Sequence, residues 1–195
     1  MLMVGTDPLE VDRLLTGGEL RCPGCAGELR PWGHARSRGV RDEVGVVTLR
    51  PRRSLCLVCR RTHVLLASST LVRRPDVVVV IGAALSAKAA GVGHRRIAAG
   101  LGRPESTVRG WLRRFGARAE RVRVLFTGLL HVLDPAAAAV TPTGSVFGDA
   151  LDVLGLAAAA AARLFGPRPV WQFASSASGG LLLGPGPAAA AVPPS

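Results

Sequence analysis

Two Cys-x-x-Cys pairs are the feature that most constrains how this chain folds. Cys22 and Cys25 form the first pair, Cys56 and Cys59 form the second, and 30 residues lie between the pairs. A turn of this spacing directs both sulfur atoms toward one point, and two such turns brought together by a hairpin form the tetrahedral sulfur cage that zinc prefers. The pattern therefore predicts one structural Zn²⁺ with these four cysteines as its ligands.

Other chemistry for the cysteines is disfavoured. A redox-active site needs only one Cys-x-x-Cys pair, and neither pair begins a helix in a βαβ unit. Disulfides are disfavoured in a reducing compartment. A catalytic zinc is disfavoured because four thiolates leave no open position for water. His34 and His63 flank the pairs, and we expect them to cap turns or pack on the ribbon, since four cysteines already fill the coordination shell.

Positive charge is concentrated in the first two thirds of the 195-residue chain, whose formal net charge is +12. Residues 1–126 carry 23 basic and 10 acidic side chains, whereas residues 127–195 carry 2 and 3. This asymmetry indicates a polyanionic partner for the first part. Nine arginines surround the cysteine pairs and form either a solvated or a phosphate-facing surface: Arg30, Arg36, Arg38, Arg41, Arg50, Arg52, Arg53, Arg60 and Arg61.

The pattern along the chain predicts an α+β fold in five segments. Residues 1–21 are a short leader, and residues 22–66 are a zinc ribbon whose strands include 44–49 and 54–58. Residues 75–133 are a helical block that ends before Pro135, and residues 145–165 form an apolar helix. Residues 174–195 contain Ala, Gly, Pro, Ser and Leu without charge, which predicts a largely disordered tail.

Residues 94–115 have the pattern of a helix-turn-helix. Ile97, Leu101, Val108 and Trp111 are spaced so that two short helices bury them against each other. Gly102 lies where the turn needs a positive φ. Pro104 then suits the first position of the second helix, whereas Arg103 occupies a turn position that is more often apolar. The alternative is an ordinary helical hairpin with a basic solvent face.

A helix-turn-helix places its second helix in the major groove of double-stranded DNA. The outward residues predicted to read base edges are Glu105, Ser106, Arg109 and Arg113. The residues predicted to contact phosphates are Arg95, Arg96, Arg103 and Arg114.

The apolar stripe of the 145–165 helix has two interpretations. Its members are Phe147, Leu151, Leu154, Ala158, Ala161 and Phe165. The stripe either joins two copies into a homodimer, as helix-turn-helix proteins that bind paired half-sites require, or folds back onto the 122–132 face of the same chain.

The sequence predicts no membrane partner. The most apolar run, residues 77–87, is shorter than the roughly 20 residues of a spanning helix. The N-terminal residues lack the basic flank and apolar stretch of a signal peptide. We therefore expect a cytoplasmic, nucleoid-associated protein.

The motifs together support a resemblance. Cys-Pro-Gly-Cys at 22–25, Arg-Pro-Trp-Gly-His at 30–34 and Cys-Leu-Val-Cys-Arg-Arg-Thr-His at 56–63 resemble the N-terminal zinc ribbon of bacterial insertion-sequence transposases. With the Ile-Ala…Leu-Gly…Thr-Val…Trp-Leu helices, residues 20–120 look like an actinobacterial family of zinc-ribbon and helix-turn-helix proteins related to those transposases. The resemblance implies binding to a transposon end or an operator-like site, with the four cysteines as zinc ligands.

The chain departs from those transposases downstream. They cut DNA with three metal-binding carboxylates on an RNase-H-like domain, and after residue 126 this chain has only Asp134, Asp149 and Asp152. The expected function is therefore a non-enzymatic, sequence-preferring DNA-binding protein, either a regulator or an accessory or remnant of a mobile element. Two alternatives stay open: the DNA-binding part of a transposase whose catalytic domain is separate or lost, and a zinc-ribbon module that binds protein or RNA.

Overall fold

A computed structural model describes residues 1–184 of the chain, and within this range the predicted α+β class is confirmed. The strands are β1 (Leu2–Val4), β2 (Leu29–His34), β3 (Arg38–Arg41), β4 (Val46–Leu49), β5 (Arg52–Cys56) and β6 (Thr62–Ala67). The helices are α1 (Pro8–Thr16), α2 (Val78–Ala89), α3 (His94–Leu101), α4 (Glu105–Gly116), α5 (Ala119–Leu133), α6 (Val146–Phe165) and α7 (Val170–Ala177).

The strands form two small sheets. One has the order β1-β6-β5-β2, in which β1 runs parallel to β6 and the other pairs are antiparallel. The other is the β3–β4 hairpin. Val11 and Leu15 of α1 pack on Leu29 and Leu65 of the larger sheet, beside two of the cysteines. This core is small.

Residues 1–21 are not a separate leader, contrary to the prediction. β1 pairs with β6, with Leu2 opposite Leu65, and α1 covers the sheet. Asp7 caps α1, because its side chain accepts a hydrogen bond from the N–H of Leu9 over 2.9 Å. Three residues are too few for a strand to be recognised from its pattern alone, and the parallel partner of β1 lies more than 60 residues away in the sequence.

The helices from α2 onward share one apolar core. Ile81 and Leu85 of α2, Trp111 and Phe115 of α4, and Phe126 of α5 are all buried in it. The first helix of the predicted 75–133 block, α2, begins at Val78, three residues after the predicted start of the block. Helices α2, α3 and α4 contact one another.

Helix α6 packs against α5 within the same chain, which is one of the two arrangements expected from its apolar stripe. Leu154, Ala158 and Ala161 of the stripe are buried, whereas Phe165 is exposed. Next to this contact, Arg163 Nη2 lies 2.7 Å from Asp134 Oδ2. The buried face of α6 contains more alanines than the predicted stripe, because these small side chains allow the two helices to approach closely.

The prediction of a disordered tail from residue 174 is wrong for residues 174–184. Ala174 and Ser175 are buried in α7, and the side chains of Leu182 and Leu183 are each 1% exposed. Ser175 Oγ donates a hydrogen bond to the Thr70 carbonyl over 2.6 Å. The leucines supply enough apolar surface to order a segment that lacks charge. Residues 185–195 lie outside the described residues.

No single helix between residues 1 and 184 is long and apolar enough to cross a membrane. Helices α6 and α7 meet the criteria of length and composition only as a pair, across a bend of 97°. In this structure both helices contribute buried residues to the common core.

Candidate metal centre and basic helix face

The two cysteine pairs lie in loops with the same backbone geometry. The N–H of Cys22 and the N–H of Cys56 each donate to the carbonyl five residues further on, over 2.8 and 2.9 Å. The residue after the second cysteine of each pair, Ala26 or Arg60, has a positive φ of 55° or 59°. Residues other than glycine seldom adopt this conformation. The repeated geometry shows that both loops are built to turn two sulfur atoms inward.

The four sulfur atoms lie close enough together to hold one metal ion. Cys22 Sγ is 3.7 Å from Cys59 Sγ, Cys25 Sγ is 3.5 Å from Cys56 Sγ, and all four lie within 4.8 Å of one another. A tetrahedral ion with metal–sulfur bonds of about 2.3 Å requires sulfur–sulfur distances of about 3.8 Å. All four cysteines are free thiols rather than disulfides. The ligand set predicted from the sequence is therefore brought together at one point.

Hydrogen bonds and neighbouring sulfurs shift the thiol pKa values in opposite directions. The backbone N–H of Cys59, 3.5 Å from Cys56 Sγ, is the main cause that lowers the pKa of Cys56 to about 6. The backbone N–H of Gly27 lowers the pKa of Cys25, but the surrounding sulfurs outweigh it and raise this pKa to about 11. Cys56 thus loses its proton readily, whereas a bound cation must displace the proton of Cys25.

The two histidines lie outside the sulfur cluster. His63 is buried, with Nε2 3.4 Å from Cys22 Sγ, so its ring packs against a ligand sulfur. Desolvation is the first cause that lowers the pKa of His63, followed by the N-terminal ammonium group and Arg61. His34 is exposed, and its Nε2 lies 3.4 Å from Arg52 Nη1. The contact of His63 with Cys22 was not predicted, because it depends on the pairing of His63 with Ser54 across β5 and β6.

Helix α4 has one apolar and one polar face. Val108, Trp111 and Phe115 are buried. The residues predicted to read bases are all exposed on this helix: Glu105, Ser106, Arg109 and Arg113. Gly102, in the turn before the helix, has a φ of 59°, which confirms the predicted positive φ. Pro104 lies one position before the helix rather than at its first residue, a difference within the usual uncertainty of helix ends.

Three of the four arginines predicted to contact phosphates are accessible to a ligand. Arg95 and Arg96 are exposed on α3, and Arg114 is half-buried on α4. Arg95 Nε lies 3.5 Å from Glu105 Oε2, and both side chains of this pair are exposed. Ion pairs between exposed side chains are weak. Arg95 can therefore exchange Glu105 for water or for another anion.

The prediction that Arg103 contacts phosphate is contradicted by its position. Its side chain is 13% exposed, and Nε lies 2.8 Å from Oδ1 of the fully buried Asp76. Nη2 also donates to the carbonyl of Asp42, and Arg41 Nη2 lies 2.7 Å from Asp76 Oδ2. A buried carboxylate requires compensating charge, and Arg103 supplies it from the turn position that is more often apolar. The sequence did not identify Asp76 as a buried partner. The only signal is that an acidic residue stands just before an apolar helix.

Comparison of the chain with family models, with curated proteins and with solved structures found no match. Functional assignment therefore depends on the sulfur cluster, the exposed face of α4 and the distribution of charge.

Proposed function

We propose that this chain is a non-enzymatic protein that binds double-stranded DNA with sequence preference, and that α3 and α4 act as its helix-turn-helix. The observation that carries the proposal is the division of α4 into a buried apolar face and an exposed face with two arginines one turn apart, Arg109 and Arg113. An α-helix fits the major groove, and an arginine there pairs in two places with guanine.

The surroundings of these arginines favour a polyanion. Arg109 and Arg113 share an open cleft with Lys88 and His94, and no carboxylate among residues 1–184 lines it. Arg95 and Arg96 extend the positive surface along α3. Such a surface attracts the phosphate backbone irrespective of sequence. Base reading by α4 then supplies the preference for one site over another.

We also propose that the sulfur cluster holds one Zn²⁺ and that residues 22–66 act as a zinc ribbon. Four thiolates in tetrahedral arrangement suit zinc better than oxygen-preferring cations such as Mg²⁺. A closed set of four protein ligands leaves no position for substrate, which favours a structural role. The small core shared by α1 and the larger sheet is consistent with a fold that needs the metal.

The biological role and the assembly stay predictions. The chain acts as a regulator or as an accessory of a mobile element; the DNA-binding part of a separately encoded transposase is the second candidate. A homodimer through α6 would use the side chains that the contact with α5 leaves exposed, including Leu164 and Phe165. Light scattering on the full chain at micromolar concentration measures this assembly directly.

Selection from random DNA duplexes tests the proposed function. The full, zinc-loaded chain is used to enrich duplexes over several rounds, and we expect a preferred site that contains guanine. A variant with both Arg109→Ala and Arg113→Ala, with zinc content and circular dichroism equal to the wild type, should enrich no such site. Failure of the wild-type chain to enrich any site would contradict the proposal.

A further inference from the structure

The edge strand β2 contains an irregularity that presents a tryptophan. Its register against β5 shifts between Pro31 and His34, so that Trp32 and Gly33 together lie opposite Arg53. Gly33 has a φ of +76°, and no atom lies within 4 Å of the position that a Cβ would occupy. Bulges of this kind redirect side chains and occur frequently beside functional sites.

Trp32 is the exposed tryptophan of the chain. Its side chain is 53% exposed, whereas Trp111 is buried and Trp171 is half-buried. Strand alternation places Trp32 on the opposite side of β2 from Leu29, which is fully buried beneath α1. The ring therefore faces away from the sheet core. Pairing with β5 holds the backbone of β2 on both sides of the bulge.

Arginines lie on and just before β5, the strand that pairs with the bulge. Arg53 donates from Nη2 to Thr62 Oγ1 over 3.4 Å. Arg52 pairs with His34 at the end of β2, and its Nη1 lies 3.4 Å from His34 Nε2. Arg50 is exposed in the short segment before β5. Arg52 is paired with Asp12 over 2.6 Å. Within residues 1–184, neither Arg50 nor Arg53 forms an ion pair, so no carboxylate of this part of the chain competes with an external anion for them.

The exposed tryptophan and the nearby arginines together favour one class of binding partner. A second copy of the chain would present the same arginines and be repelled, and an apolar partner would leave them uncompensated. A nucleic acid strand satisfies both parts of the surface, because its phosphates pair with arginine and an unpaired base stacks on an aromatic ring. A base inside a duplex is already stacked on its neighbours and offers no free face.

We propose that the bulge surface, formed by Trp32, Arg53 and Arg50, binds unpaired nucleotides of DNA, with a base stacked on Trp32 and phosphates held by the two arginines. The site lies on β2, on β5 and in the short segment before β5, and it is separate from the helix proposed to read paired bases. It thus goes beyond the proposed function, since it recognises single-stranded DNA rather than the edges of base pairs.

Fluorescence anisotropy with a labelled oligothymidylate tests the site on the full, metal-loaded chain. Trp32→Ala should weaken binding between about fivefold and a hundredfold, the loss expected for one stacked base. Trp32→Phe should retain most of the affinity because an aromatic face remains. Leu156→Ala on α6 is the matched control, because it removes an exposed apolar side chain outside both proposed DNA surfaces, and it should bind the oligothymidylate as the wild type does. Zinc content and circular dichroism of each variant must equal those of the wild type.

Binding to a blunt-ended duplex distinguishes this proposal from the proposed recognition of paired bases by α4. Trp32→Ala should bind the duplex as the wild type does. Binding of oligothymidylate that depends on Trp32 supports the proposal even if no duplex site is preferred. Absence of binding, unchanged affinity of Trp32→Ala for the oligothymidylate, or an equal loss on single strand and duplex would each overturn it.

Discussion

Asp76, which is fully buried, accepts a hydrogen bond from Nε of Arg103 over 2.8 Å. The other carboxylate oxygen of Asp76 accepts a hydrogen bond from Arg41 of β3 over 2.7 Å. The N–H of Val77 donates to the carbonyl of Arg41, so backbone and side chains join the same segments. Asp76 thereby links the β3–β4 hairpin, the start of α2 and the turn between α3 and α4.

Replacement of Asp76 by asparagine should lower the free energy of unfolding by about 3 kcal/mol, because it leaves Arg103 and Arg41 without their common counter-charge. Urea unfolding of the metal-loaded protein, followed by circular dichroism, measures the change. Asp152→Asn is the matched control, since Asp152 is exposed on α6 and forms no ion pair within residues 1–184. Equal unfolding midpoints for the two variants would show that the buried pair contributes nothing.

Replacement of Gly82 by alanine should destabilise the protein by about 2 kcal/mol through overpacking. A Cβ at this position would lie 2.1 Å from the ring of Trp171, so α7 must move away from α2. Gly100→Ala on α3 is the control, because no atom lies within 4 Å of its Cβ position. There alanine should stabilise the helix by about 0.5 kcal/mol. Thermal unfolding of both variants tests the packing of α7, and similar shifts would contradict it.

Asp149 at the start of α6 should titrate below the ordinary range for aspartate, about 3.9. The backbone N–H of Thr143 is the main cause that lowers the pKa of Asp149, and the Thr143 hydroxyl adds to it; both donate to Oδ1, over 2.6 and 2.7 Å. Since the folded-state pKa is depressed, the resulting stability is present above about pH 4 and is lost as the pH falls through the folded value.

A carboxyl NMR titration measures the pKa of Asp149. Its midpoint should rise toward the ordinary range in Thr143→Val, which removes the hydroxyl donor and keeps the backbone N–H. An unchanged midpoint in this variant would argue against the hydrogen bond from the Thr143 hydroxyl.

The cluster of four cysteines and the helices could be predicted from sequence because both have short-range patterns. The Cys-x-x-Cys spacing constrains two sulfurs locally, and the α3–α4 turn requires Gly102 at its positive φ. The assignment of Arg103 to a phosphate failed because its partner Asp76 lies 27 residues earlier. No local pattern shows that a carboxylate so far away in sequence is buried beside the turn.

The ordered structure of the N-terminal and C-terminal segments was not predicted, for a related reason. β1 is stabilised by a parallel partner, β6, and α7 is stabilised by Trp171 against Gly82 and by Ser175 against Thr70. Composition alone describes an uncharged Ala/Gly/Ser segment as disordered, because it does not include the distant surface on which the segment packs.

Metal content tests the sulfur cluster. Protein purified without added metal should contain close to one zinc per chain, and Cys56→Ser should lose most of it together with the thermal stability of the sheet. Ser69→Ala, outside the cluster, serves as a control and should retain the metal. The assignment fails if Cys56→Ser keeps both its zinc and its unfolding temperature.

Binding to the selected duplex site and to a scrambled duplex, measured across a range of salt concentrations, tests the role of α4 most directly. Arg109→Ala should cost about 1–3 kcal/mol on the selected site and little on the scrambled one. Arg96→Ala should weaken both duplexes alike and reduce the salt slope by about one unit. Equal losses for Arg109→Ala on the selected and scrambled duplexes would contradict the account.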